Sequence, residues 1–266
     1  MEEEQKEILI ESPLDSSQLF ATHNDLIEKF SLNLLSEREE DILMIIVSEL
    51  QKNREFTKVS LKKIKQLLDK TMTYKKLISE IEGLSKKSLV LLTGQILNND
   101  GSVAAEEGDI WIPIIFSSLI IHKNEKAVSV KFNSEIEYIF WDLKDRFFIS
   151  NVEHYLKLKG KKQKIFYRFF KRWENYENSK ITITVERLKK ILKCPETYQY
   201  KSLKKVINLA VENVNKHTDI FVEFLENKKG RTVISIDFKI SNIGKKMKKG
   251  QAKKITDLNE LYDQNK

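Results

Sequence analysis

Apolar residues recur at helical spacing in two parts of the chain, and the spacing is the same in both. Each set predicts an amphipathic helix, over residues 36–50 and over residues 161–173, because apolar side chains three or four positions apart line one helix face. The positions, offset by 123 residues, are Leu43, Ile46, Val47 and Leu50 in the first helix and Phe166, Phe169, Phe170 and Trp173 in the second. A shared pattern at a fixed offset indicates an internal repeat.

The elements that follow each of these helices are also repeated. In the first copy they are a β-like segment at 56–59, a helix after the N-cap candidate Ser60, a third helix with apolar positions from Tyr74 to Leu84, and a β-like segment at 88–93. In the second copy they are a β-like segment at 181–184, a helix after Thr184, a third helix over 199–217, and a hairpin of residues 220–225 and 232–240 closed by 227–230. This order is that of a winged helix, whose third helix can enter a DNA major groove and whose hairpin is the wing. We predict an α+β chain of tandem winged-helix (winged helix-turn-helix) domains.

The predicted organisation has four parts. They are a flexible acidic N-terminus (1–20), an N-terminal winged-helix domain (21–148), a C-terminal winged-helix domain (149–243) and a flexible tail (244–266). Between the two copies, the pattern predicts strands over 110–116 and 128–132 and a helix over 134–143. The apolar run from Trp111 to Phe116 fits an intermolecular sheet, and it fits a buried strand at least as well.

Charge is divided unevenly between these parts. The 266 residues contain 47 Lys+Arg and 39 Asp+Glu, a net charge of +8. Counted separately, residues 1–150 carry −7, residues 151–254 carry +17 and residues 255–266 carry −2. A basic excess confined to one half indicates that the C-terminal domain binds a polyanion.

The third helix of the second copy is the candidate DNA-reading element. Its face opposite the apolar stripe carries Lys201, Lys205, Asn208, Glu212 and Asn215, with Lys204 alongside. Recognition helices read bases with their N-terminal residues, and Lys and Asn side chains pair with guanine and adenine edges. The candidate base-contacting residues are Lys201, Ser202, Lys204, Lys205 and Asn208. The same face also fits an ordinary amphipathic helix with solvated lysines.

Further basic residues are candidates for phosphate contacts. Lys228, Lys229 and Arg231 lie at the predicted wing tip, and Lys161 and Lys162 lie in a lysine cluster at the start of the second copy. In the first copy, the corresponding helix offers Lys75, Lys76 and Ser79, followed by glutamates. This mixed face is consistent with an auxiliary DNA contact or with association with another protein.

Patterns typical of catalytic chemistry are absent from the sequence. No P-loop motif occurs, the four histidines are isolated, and the one cysteine, Cys194, excludes an internal disulfide and a Cys-rich metal site. We therefore expect no enzyme activity, no cofactor and no metal. The acidic start lacks the features of a secretory signal, and no apolar run is long enough for a membrane span, so we expect a cytoplasmic protein without a membrane partner.

Several motifs resemble the initiator replication proteins of iteron-bearing plasmids, the RepB-like family. The residues that carry the resemblance are 23–27 and 35–50 in the first copy and 166–167, 182–188, 200–203, 211–220 and 229–231 in the second. Two details depart from the family pattern: Val214 replaces the usual Ile, and Asn213 separates it from Glu212.

The resemblance implies a function beyond what the spacing shows. Members have two winged-helix domains, their monomers bind direct repeats at a plasmid origin, and they recruit host replication proteins such as an initiator or helicase. Their dimers, formed through the N-terminal domain, repress the protein's own gene. The family's base-contacting helix maps onto Lys201, Ser202, Lys204, Lys205 and Asn208.

Two other functions fit the same sequence. A winged-helix transcriptional regulator would also bind duplex DNA, and a non-catalytic interaction scaffold would use the basic half for another partner. Tandem repeats beside the gene, together with dependence of plasmid replication on the gene, would distinguish an initiator from both.

Overall fold

Two units follow one another along the chain, Met1–Leu156 and Lys157–Lys266. The protein is represented by a computed structural model, which describes residues 19–24, 26, 30–32, 34–52, 58–91, 96–97, 103–105, 112–140, 147–174, 180–195 and 197–242.

Helices and short strands alternate in both units. The first unit contains β1 (Leu19–His23), β2 (Phe30–Ser31), α1 (Glu37–Lys52), β3 (Lys58–Ser60), α2 (Leu61–Leu68), α3 (Tyr74–Ser85), β4 (Val90–Leu91), β5 (Ile96–Leu97), β6 (Val103–Ala105), β7 (Phe116–His122), β8 (Ala127–Phe132), β9 (Phe147–Asn151) and most of α4 (Val152–Lys157). The second contains α5 (Lys161–Lys171), β10 (Lys180–Thr184), α6 (Val185–Ile191), α7 (Tyr200–His217), β11 (Ile220–Lys229) and β12 (Thr232–Asn242).

Helix α1 forms the centre of the first unit. Its start is a capping box: the Ser36 N–H donates to Glu39 Oε2 (2.6 Å), and the Glu39 N–H donates to Ser36 Oγ (3.1 Å). Every residue from Ile42 to Gln51 is buried, polar ones included, because β1, β3, α2 and α3 all pack around the helix. The sequence pattern predicted one apolar face here, and the structure buries the whole circumference of this stretch.

The two units share one sheet topology. The first contains a sheet in the order β3-β8-β7, and the second a sheet in the order β10-β12-β11. In each, the strand that precedes the second helix pairs antiparallel with the second strand of the hairpin. The wing of the first unit is therefore β7–β8. The prediction of the wing strand at 88–93 is therefore wrong, because residues 86–115 separate α3 from its hairpin.

Other predictions between the two copies also need correction. The strand expected over 110–116 begins only at Phe116, while Ile114 forms an isolated bridge with Ser88. In place of the helix over 134–143, the described residues contain a single 3-10 turn, Glu137–Ile139. Residues 110–111 and 141–146 lie outside the described part of the chain.

Aromatic packing forms the core of the second unit. Phe166, Phe170 and Phe238 pack together, with the Phe170 and Phe238 ring centroids 4.9 Å apart, and α5 packs on α7. Helix α5 ends at Lys171, so Trp173 lies in the following turn and not in the helix. The wing hairpin is longer than expected: its strands reach Lys229 and Thr232, so the turn consists of Gly230 and Arg231. Gly230 has φ +61°, a conformation that favours glycine.

Strand β1 is the first described element of the first unit, and it pairs antiparallel with β9. Leu19 and Phe20 belong to this strand, and Phe20 is buried. The remaining residues of the expected N-terminus, 1–18, and of the expected tail, 244–266, lie outside the described residues. No helix in the described part of the chain combines the length and apolar character that a membrane span requires.

Candidate nucleic-acid interface

Helix α7 divides into a packed side and an exposed side. Leu203, Ile207, Ala210 and Val214 are buried at helical spacing. The exposed residues of its first three turns include Lys201, Ser202, Lys204, Lys205 and Asn208. Lys201, Lys205 and Asn208 are related by i, i+4 and i+7, so their side chains leave the helix on one face. A helix N-terminus also carries partial positive charge, which adds to the attraction of this face for an anion.

The C-terminal half of α7 is joined to β11 through Asn215. Its Nδ2 donates to the Val222 carbonyl (2.9 Å), and its Oδ1 accepts from the Val222 N–H (2.7 Å). Helical spacing alone predicts that Asn215 points outward with the lysines. This prediction is wrong, because the helix flank that bears Asn215 faces the hairpin.

The Thr218-Asp219 pair has a structural role as well. The Thr218 hydroxyl donates to the Val214 carbonyl (2.7 Å) at the end of α7. Asp219 accepts hydrogen bonds from the Tyr167 hydroxyl (3.0 Å) and from Lys171 Nζ (2.8 Å), both on α5. These contacts fix the orientation of α7 within the second unit, and with it the direction of the exposed face.

A charged cluster connects the first turn of α7 with the wing. Glu226, on β11, accepts from Lys204 Nζ (2.6 Å) and from the Tyr200 hydroxyl (2.8 Å) through Oε1, while its Oε2 lies 3.6 Å from Lys228 Nζ. The Lys204 and Tyr200 bonds hold the pKa of Glu226 below its usual range. Burial and the neighbouring carboxylate raise the pKa of Tyr200. The sequence pattern gave no sign of Glu226.

The wing tip is basic and exposed. Lys228, Lys229 and Arg231 are all exposed, and the register of the hairpin shifts between Asn227 and Lys228. Below the tip, Asp237 accepts from the Thr182 hydroxyl (2.7 Å) and from Asn227 Nδ2 (2.8 Å), and these bonds lower the pKa of Asp237. The bonds tie all three strands of the sheet together and support the hairpin that presents the basic tip.

The lysines at the start of α5 are less exposed than the wing residues. Lys161 and Lys162 are both half-buried, and Lys162 Nζ lies 3.4 Å from Cys194 Sγ and 5.2 Å from the centre of the Tyr198 ring. Lys162 therefore contacts the loop between α6 and α7. In the same loop, burial together with Arg168 lowers the pKa of Lys193 to about 8.

The first unit repeats this geometry with different charges. Lys75, Lys76 and Ser79 are exposed at the start of α3, where the Thr73 hydroxyl accepts from the Lys76 N–H (3.3 Å). Tyr74, the first residue of α3, contacts its wing through Lys126, whose Nζ lies 5.2 Å from the ring centre. Tyr200 occupies the same helix position in the second unit and contacts its wing through Glu226.

The described residues contain no group of three or more His, Cys, Asp or Glu side chains arranged to hold a metal ion. What the second unit offers is an exposed basic and amide-bearing helix face beside a basic hairpin. Such a surface suits a duplex polyanion, with the helix in the major groove and the hairpin on the phosphates.

Comparisons with known proteins agree with this geometry. Among solved structures, the chain is similar to the Pi initiator protein in a crystal structure with iteron DNA, at 19% identity and a TM-score of 0.61, over 85% of this chain and 98% of that one. A search of curated proteins returned no match. Residues 19–171 match the family described as "Initiator Replication protein, WH1", and residues 184–240 match "Initiator Rep protein, WH2". The prediction of two winged-helix domains is thereby confirmed, and the chain belongs to the family of initiator replication proteins.

Proposed function

We propose that this protein initiates plasmid replication by binding tandem repeats (iterons) of its origin as duplex DNA, without catalysing a reaction. The observation that carries the proposal is the exposed face of α7, where Lys201, Lys205 and Asn208 lie together beside a basic wing. Family membership supports the role in initiation, and the similarity to an initiator bound to iteron DNA supports repeats as the target.

Each part of the second unit has a distinct role in the proposed complex. Helix α7 enters the major groove with its N-terminal half, so that Lys201, Lys205 and Asn208 meet base edges and Ser202 and Lys204 lie at the groove wall. Lys228, Lys229 and Arg231 contact phosphates from the wing, with Lys161 and Lys162 as further cationic groups. Phosphate contacts give affinity and register, while the α7 contacts select the sequence.

The first unit is proposed to serve mainly in association. Among the described strands β7 lies at the edge of its sheet and exposes Ile120, and Ile112 and Ile114 just before the strand are also about half exposed, so exposed apolar side chains lie near this edge. We assign to this unit a homodimer that represses the protein's own gene and contacts with host replication proteins. Lys75, Lys76 and Ser79 add an auxiliary DNA contact. The protein acts in the cytoplasm, where its DNA target lies.

Two measurements test this function together. A footprint on the DNA beside the gene should protect direct repeats, and a plasmid carrying that region should be lost when the gene is deleted and restored when it is supplied in trans. A footprint without a replication defect would instead indicate a transcriptional regulator. Absence of any footprint would overturn the DNA-binding function.

A further inference from the structure

Glu226 lies where α7 meets the wing, between two lysines assigned to DNA. Its carboxylate is 2.6 Å from Lys204 Nζ and 3.6 Å from Lys228 Nζ. In the free protein, an internal anion thus lies beside two ammonium groups that a DNA phosphate would also attract.

The exposures of the three side chains differ. The Lys204 and Lys228 side chains are 46% and 56% exposed, while that of Glu226 is only 14% exposed. Each ammonium group has three N–H donors, so it can approach a phosphate while it still contacts the carboxylate. The Tyr200 hydroxyl (2.8 Å) adds a neutral bond that keeps the carboxylate in place. A negative charge therefore stays fixed at the junction when DNA approaches.

We propose that Glu226 is a specificity-determining residue, whose carboxylate weakens binding to DNA that lacks the repeat more than binding to the repeat itself. The inference rests on the proposed DNA-binding function of the second unit. Binding to unrelated DNA depends almost wholly on phosphate attraction, which a fixed carboxylate opposes. On the repeat, base contacts from α7 fix the position of the helix on the DNA. Lys204 and Lys228 then reach phosphates without leaving the positions in which Glu226 holds them. Specificity is the difference between these two affinities.

The test compares Glu226→Gln with a matched control, Glu223→Gln. Glu223 lies on the same strand, is exposed, and projects from the opposite sheet face, and its substitution changes the net charge equally. Affinities are measured in the full chain for a duplex with one footprinted repeat and for a base-shuffled duplex, over a range of salt concentrations. Glu226→Gln should tighten binding to the shuffled duplex by about two- to fivefold, with a smaller change on the repeat. On the shuffled duplex, the slope of log affinity against log salt concentration (the salt slope) should become steeper by about 0.9, the contribution of one phosphate contact.

Other outcomes would overturn the inference. If Glu223→Gln reduces discrimination equally, the effect is one of net charge and not of this cluster. If Glu226→Gln weakens binding to both duplexes, the residue only holds the wing in place. Tyr200→Phe removes a hydrogen bond to the same carboxylate without changing the charge. This substitution should therefore leave the salt slope unaltered. A change of slope equal to that of Glu226→Gln would contradict the proposal.

The comparison also separates this inference from the proposed function. If the unsubstituted protein does not prefer the repeat, both are wrong. If it prefers the repeat and Glu226→Gln keeps that preference, only the role of Glu226 is wrong.

Discussion

Asn208 offers a direct test of base reading at the scale of a single residue. Its exposed amide can pair with an adenine edge through two hydrogen bonds, a contact that contributes about 1–3 kcal/mol of discrimination. We expect Asn208→Ala to weaken repeat binding by about that amount and to relax the preference at one base position, measured by binding to a panel of single-base variants. The matched control is Asn213→Ala on the same helix, because the Asn213 amide already donates to the Leu209 carbonyl (2.7 Å). Equal effects of the two substitutions would remove Asn208 from the reading surface.

Single residues also show where sequence reasoning about the site succeeds. The exposure of Lys201, Lys205 and Asn208 was predictable, because helical periodicity alone separates them from the buried stripe. The contacts of Lys204 and Asn215 were not predictable in this way. Both side chains lie on the flank of α7 that faces β11, and their partners become neighbours only when the hairpin packs on the helix.

At the scale of elements, one buried side chain joins β1 to α1. Gln51 accepts from the Ala21 N–H (2.7 Å) and donates to the Ala21 carbonyl (2.7 Å) and to the Phe140 carbonyl. Gln51→Leu would leave these buried backbone groups without their partner, at a cost of about 1–3 kcal/mol for a group left unpaired. We expect the free energy of unfolding in urea to fall by about 2–4 kcal/mol.

The control for this prediction is Gln66→Leu in α2, where the side chain is half-buried and the same substitution should change stability by no more than about 0.5 kcal/mol. A loss of similar size in both variants would show that Gln51 has no special role in anchoring β1.

The elements differ in how far local sequence determines them. The positions of α1, α3, α5 and α7 were predictable from apolar spacing within each segment. The wing of the first unit was assigned to the wrong segment, because the strand β3 pairs with β8 across more than 60 positions and no local pattern encodes that pairing. The β1–β9 pairing, Leu19 with Asn151, spans almost the whole unit and was missed for the same reason.

At the scale of the whole molecule, the uneven charge supports the proposal that the two units, which share a sheet topology, bind different partners. The shared strand order places a helix beside a wing in both units. In the second unit these elements expose Lys201, Lys205 and Arg231, whereas the start of α3 is followed by Glu80 and Glu82. The fold supplies the same geometry in both units, and in the proposed function the surface residues decide which unit attracts DNA more strongly.

The proposed difference between the units predicts unequal salt dependence when matched pairs of cations are neutralised in the full chain. Lys229→Gln with Arg231→Gln removes two exposed wing charges, and should reduce the slope of log affinity against log salt by about two, with a uniform loss of affinity across sequences. Lys75→Gln with Lys76→Gln removes two exposed charges from the first unit, and should reduce the slope by less than one, because the nearby glutamates already oppose phosphate contact there. Equal reductions would mean that both units contact DNA to the same extent. A larger reduction from the Lys75–Lys76 pair than from the wing pair would contradict the prediction, because it would place the main phosphate contacts on the first unit.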